Sequence, residues 1–181
     1  FKVNSVHITD SMKRGMYKRV IALIADMHIG SRYALAGTGW IGKEGNDLSA
    51  ARNKGQLMIY DHWQKFMGTC RKWKVDTMLL FGDLINGYNR IEFGIQQLTT
   101  DVDEQKRHVV QLLKPLAQMC NGNIYATSGS GYHESKDTRV HMDIVESLGG
   151  KYIGSIGNLK IKGTNRVINM AHGVSTAWVF K

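Results

Sequence analysis

Four short apolar runs in this chain each end abruptly in a cluster of glycine with aspartate or histidine, and this recurrence constrains the fold more than any other feature. Asp26-Met27-His28 follows the run Lys18–Ala25, and Gly82-Asp83 follows Asp76–Phe81. Gly129-Ser130-Gly131-Tyr132-His133-Glu134 follows Gly122–Thr127, and His172-Gly173 follows Val167–Met170 shortly after. Runs of this length, bounded by turn residues, read as buried strands. Further short strands are expected at Tyr152–Ser155 and Leu159–Lys162. The segments between the first runs are longer and carry helical periodicity. Ser49–Trp73 places Ile59, Trp63, Phe66, Met67 and Cys70 on one stripe. Gly94–Met119 does the same with Val102, Val109, Leu112, Leu113, Leu116 and Met119, and Pro115 is expected to kink or break it. Asp137–Leu148 turns Val140, Ile144, Val145 and Leu148 inward, and Gly149-Gly150 stops it. The order β-α-β-α-β-α-β-β-β predicts an α/β protein whose sheets are buried on both faces. In such folds ligands bind where the carboxyl ends of the strands converge, which is where all four clusters fall.

At 181 residues the chain suits one domain with a sizeable core. Residues 1–17 read as an N-terminal extension and 18–181 as the domain. No run is long enough to span a membrane, and no apolar stretch follows the basic residues Lys13, Arg14, Lys18 and Arg19 as a signal peptide would require. Cys70 and Cys120 lack metal-ligand spacing and fall on apolar helical positions. They read as reduced core thiols, which implies a cytoplasmic setting. The formal charge is +9. Its excess lies at the two ends, because residues 21–150 hold 14 basic and 14 acidic side chains. A basic chain favours polyanionic partners, of which nucleic acid is the obvious one, although no basic stripe is interleaved with aromatics.

The clusters carry residue types suited to metal chemistry. In an extended segment Asp26 and His28, at i and i+2, point the same way and can share one ion. Asp83 has two carboxylate oxygens and can bridge two ions, and Gly82 lets the chain turn at the strand end. His172 adds a nitrogen donor. A mixed carboxylate and imidazole set suits Mn, Fe or Zn better than Ca. Two such ions about 4 Å apart would clamp a phosphoryl group and acidify a water.

Asp26-x-His28, then Gly82-Asp83-x-x-Asn86, then a glycine-rich turn ending in His133-Glu134, then His172-Gly173, resembles the calcineurin-like metallophosphoesterases. The resemblance runs from about Val20 to Gly173. It implies a four-layer α-β-β-α sandwich with two divalent metal ions at the strand ends and hydrolysis of a phosphate mono- or diester, as in a nuclease or nucleotide phosphodiesterase. By the same resemblance Asp26 and His28 bind the first metal, Asp83 bridges, His172 binds the second metal, and His133 contacts phosphate and protonates the leaving group. Two departures stand out. The third motif of the family has an Asn ligand that this chain lacks, with Ser130 or water left to replace it. The closing Gly-His-x-His of the family does not follow His172, and the chain ends at Lys181. With Phe1 also reading as an interior start, a chain truncated at the C-terminus and lacking its last strands is expected. The competing expectation is a degenerate, non-catalytic relative that binds or scaffolds.

The remaining histidines read as bland. His62 is expected to be structural or at the surface, His108 and His141 to be exposed on helices, and His7 to lie near a terminus. Arg90 is either a phosphate contact or a solvated loop residue. The stretch Gly30–Gly55, with six glycines, reads as a long loop, and Gly37–Gly45 as a flexible rim of the cleft.

Overall fold

The structure, a computed structural model, describes residues 19–88, 94–133, 139–161 and 165–173. The expected extension 1–17 with His7, together with Arg90 and Glu134, lies outside the described residues. Four strands, β1 (Ile21–Ile24), β2 (Thr77–Leu80), β3 (Ile124–Ala126) and β4 (Lys151–Tyr152), form a parallel sheet in the order β1-β2-β3-β4. The register sets Ile24 beside Leu80 and Leu80 beside Ala126. Three helices, α1 (Lys54–Lys72), α2 (Val102–Cys120) and α3 (Arg139–Ser147), make the crossovers between these strands. A separate antiparallel pair, β5 (Ile156–Lys160) and β6 (Val167–Ala171), forms a second sheet. The mixed α/β element order is the one read from the sequence.

The expected helical stripes are the packed ones. Trp63, Met67 and Cys70 of α1, Val109, Leu112, Leu113 and Leu116 of α2, and Val140, Ile144 and Val145 of α3 join Ala22, Ile24, Met78, Leu80, Ile124 and Ala126 in one core. Each fully buried large side chain of this set contributes about 1.5–3 kcal/mol. Burial pushes the thiols of Cys70 and Cys120 up to about 11 and about 12, so both stay protonated and free. On the opposite face of the parallel sheet, Ile21, Leu79 and Tyr125 meet Leu159 and Ile168 of the second sheet across a cleft of about 260 Å³. The outer face of the second sheet is exposed at Ile156, Asn158, Lys160, Val167 and Asn169. The expectation of sheets buried on both faces therefore holds for β2 but not for this pair.

Several boundaries and environments differ from expectation. The first helical segment splits into a short 3-10 turn (Leu48–Ala51) and α1, because Asn53 caps α1 in a reciprocal box with Gln56. The second begins at Val102, since the Asp101 side chain accepts from Glu104 N and caps it there. Pro115 lies inside α2 without ending it. It sits on the exposed face with Gln111, whose carbonyl has no Pro115 N–H to accept from. The segment Gly37–Gly45 is no flexible rim at its core: Trp40 is buried and stacks flat on His108, with ring centroids 4.2 Å apart. His108 and His141, expected at the surface, are both buried.

His108 is held as a neutral imidazole. Gly37 N–H donates to its Nε2 (2.9 Å), and its Nδ1 lies 3.0 Å from the Gln111 side-chain oxygen. Burial drives its pKa down to about 4 from 6.5. Between those values the unfolded chain binds a proton that the folded chain refuses, so the stability from neutral His108 is complete above pH 6.5 and is lost as pH falls toward 4. In urea unfolding at pH 7 and pH 4.5, the wild type should lose roughly 2 kcal/mol more than His108→Gln over that interval. Equal losses would show that His108 is not the titrating group.

Candidate metal centre

The chain segments that follow β1 and β2 stay paired beyond the strands. Asp26 N–H donates to Gly82 O (3.2 Å), His28 N–H to Asp83 O (3.0 Å), Ile29 N–H to Leu84 O (3.1 Å) and Asn86 N–H back to Ile29 O (2.8 Å). This zipper carries Asp26 and His28 alongside Asp83. The segment is not extended as expected, because Asp26, His28 and Asp83 all have left-handed backbones, with φ of 54°, 44° and 49°. Non-glycine residues seldom adopt this region, and such strain collects at functional sites. The side chains of Asp26 and His28 still converge, with Oδ1 3.8 Å from Nε2. Gly82, at φ 81°, passes so close to the third cluster that a Cβ there would sit 2.3 Å from Gly129 Cα. Only glycine lets the β2 and β3 loops touch.

Asp83 lies at the centre. It is 4% exposed, and its Oδ1 accepts from Ser130 N–H (2.7 Å). Ser130 Oγ lies 3.1 and 3.0 Å from its two oxygens, and His172 Nε2 is 3.0 Å from Oδ2. Two donor groups share this carboxylate. His28, Asp83 and His133 offer ligand atoms within 4.8 Å of one another, and so do Asp26, Asp83 and His172. All five residues singled out in the sequence are thus brought together. Their grouping around Asp83 differs from the expected one: His28 falls with His133 and Asp26 with His172, although Asp26 Oδ1 and His28 Nε2 stay 3.8 Å apart. His133 also packs edge-on to His28, with centroids 4.3 Å apart.

The residues fit divalent cations on the chemistry of their hydrogen bonds. His172 Nδ1 must donate to the Phe81 carbonyl (2.5 Å), since a carbonyl only accepts. Its Nε2 then turns toward the Asp83 carboxylate. A nitrogen and a carboxylate oxygen facing each other at this distance can take the same cation. His133 Nδ1 donates to Asn86 O (3.1 Å) in the same manner. Imidazoles anchored through one nitrogen on a backbone carbonyl, with the other turned inward, are the usual outer support of metal sites. His28 Nδ1 is buried with no hydrogen-bond partner among the described residues. Burial lowers the pKa of His28, the neighbouring His133 lowers it further, and both effects favour the neutral ring that a cation binds.

A second ring of residues, missed in the sequence, holds these loops. The buried Gln105 side chain of α2 accepts from Gly87 N–H (2.9 Å) and donates to Gly87 O and Thr99 O. Gln97 donates to Gly87 O as well (2.8 Å). Gly87 adjoins Asn86, the support of His133, and a Cβ there would strike His133 O at 2.0 Å. His141 Nε2 of α3 accepts from Leu84 N–H (3.3 Å), next to Asp83. The available signal was a polar residue on an apolar stripe: Gln105 and His108 share the face of Val109 and Leu112, and His141 shares that of Ile144 and Val145. Ser130 was visible only as a replacement for an absent motif residue. Comparison with protein-family models and with curated proteins returns no match.

Asparagine tolerates a left-handed backbone, so Asp83→Asn should fold. In thermal melts, Mn or Zn at about 100 times its Kd should raise the wild-type Tm by roughly 5–10 °C. The variant should lose that rise. A rise of full size in Asp83→Asn would exclude a shared Asp83 donor.

Proposed function

We propose that this chain is a metal-dependent phosphoesterase of the calcineurin-like kind, hydrolysing a phosphate mono- or diester at the ends of its strands. The observation that carries the reading is the buried Asp83 carboxylate with Asp26, His28, His133 and His172 gathered around it at the strand ends. The four-layer α-β-β-α sandwich belongs to the same reading. Its support is the layering of helices on one face of the parallel sheet and β5–β6 opposite the other. The two buried free thiols support a reducing, cytoplasmic setting.

Asp26, His28, Asp83 and His172 would hold the cations, with the mixed donor set favouring Mn, Fe or Zn. When bound, such ions supply positive charge to a phosphoryl group and lower the pKa of water. The chain's own residues supply orientation and a proton. A water oxygen bonds to phosphorus and releases a proton to solvent as the ester P–O bond breaks, and the departing oxygen takes a proton. His133 is the group assigned to deliver it: its Nδ1 is committed to Asn86 O, so Nε2 is the atom that gains and releases a proton. Ser130 keeps Asp83 in place through both its N–H and its hydroxyl.

Hydrolysis of bis-p-nitrophenyl phosphate with added Mn tests the reading. Asp83→Asn should lose at least about 100-fold in kcat. His133→Ala should lose about 10²–10⁴-fold on an ester with an alkoxide leaving group, far less on bis-p-nitrophenyl phosphate, whose p-nitrophenolate departs without a proton, and should keep the metal-induced rise in Tm. Loss of that rise as well would make His133 a ligand rather than a proton carrier. Metal binding without turnover in the wild type would favour the binding or scaffold role.

A further inference from the structure

The cleft beside the metal centre is lined by two tyrosines in addition to its histidines. It measures about 280 Å³ and is formed by His28, Ser31, Tyr33, Asn86, Tyr132 and His133, with a few neighbours. Tyr33 is 70% exposed and Tyr132 48% exposed, although both are large and largely apolar. Tyr132 stands edge-on to His133, with centroids 4.8 Å apart.

The backbone that carries Tyr33 is pinned on every side. The fully buried Gln56 side chain donates to Ser31 O (3.1 Å) and Ala34 O (3.2 Å), and Asn53 Nδ2 donates to Arg32 O (2.6 Å). Arg32 N–H donates to Gln96 O (2.9 Å), Arg32 Nε to Gln97 O (3.2 Å), and Tyr33 N–H to Ser31 Oγ (3.1 Å). The fold fixes the base of a ring and leaves its face in water, which is how a stacking platform is preorganised.

We propose that Tyr33 and Tyr132 form a stacking subsite for an unpaired nucleobase, so that the ester acted on is a nucleotide or single-stranded nucleic acid phosphodiester. The inference rests on the phosphoesterase reading and names its substrate class. A flat aromatic face accepts any base, which is why such platforms serve single strands without sequence preference. A paired base hides its faces in the duplex and cannot use the site.

The test compares two esters with the same p-nitrophenolate leaving group, thymidine 5′-(p-nitrophenyl phosphate) and methyl p-nitrophenyl phosphate, on the full chain with Mn. Binding of thymidine 5′-phosphate is followed in parallel by calorimetry. The wild type should prefer the thymidine ester by about tenfold or more in kcat/KM. Tyr33→Ala should collapse that ratio toward one and weaken thymidine 5′-phosphate binding by a similar factor, while Tyr33→Phe, which keeps the ring, should retain both. Tyr132→Ala should reduce the ratio in part. Thermal melts verify that each variant is folded. Equal turnover of the two esters by the wild type would overturn the subsite while leaving the phosphoesterase reading intact. A preference that survives in the Tyr33→Ala, Tyr132→Ala double variant would overturn it as well. If neither ester is turned over, the phosphoesterase reading fails, and the calorimetric effect of Tyr33→Ala still decides the subsite.

Discussion

The Asp83 carboxylate is buried at the point where four chain segments meet, and the arrangement of each segment follows from it. A carboxylate removed from water costs several kcal/mol unless opposing charges and hydrogen bonds compensate. Ser130, arriving from the β3 loop, supplies an N–H and a hydroxyl. His172, arriving from the end of β6, supplies an imidazole and ties itself to Phe81 O at the end of β2. The second sheet is thereby linked to the first at the functional end. Asp26 and His28 approach from the β1 loop along the zipper with Gly82, Asp83 and Leu84.

Such convergence strains the backbone, and the surrounding structure sustains it. Three adjacent acidic or imidazole residues hold left-handed conformations at a cost of order 1–3 kcal/mol each. The opposing forces come from outside the cluster. Gln105 and Gln97 clamp Gly87, His141 takes the Leu84 N–H, and Gly82 permits the close passage of Gly129. These supports lie on α2, on α3 and in the loop before α2, so the helices do more than cover the sheet. They over-determine the loops that present the donors. The same logic extends to Tyr33, whose exposed ring stands on a backbone secured by Gln56 of α1.

Much of this was legible in the residues alone. The periodicity of α1, α2 and α3 matched the packed faces, and the four strand-end clusters carried all five site residues. Both are local signals: apolar spacing follows the helical or strand repeat, and glycine with aspartate or histidine marks a strand end. The departures have two local causes. His108 and His141 were read as exposed because they are polar, yet each lies on an apolar stripe and is buried as a neutral ring with a backbone N–H as partner. Gly37–Gly45 reads as a flexible rim because of its glycines, whereas its Trp40 is buried in the core.

The sequence by itself determined the α/β element order, the helical faces and the strand-end placement of Asp26, His28, Asp83, His133 and His172. Tertiary structure decided which donors face one another. Which histidine joins Asp26 beside Asp83 depends on contacts between segments more than 50 residues apart, which no periodicity encodes. It also decided that Ser130 would hold Asp83, that Gln105 would brace the loop under His133, and that Tyr33 would stand beside the histidines. Those relations depend on distances across the fold, which residue spacing along a chain does not contain.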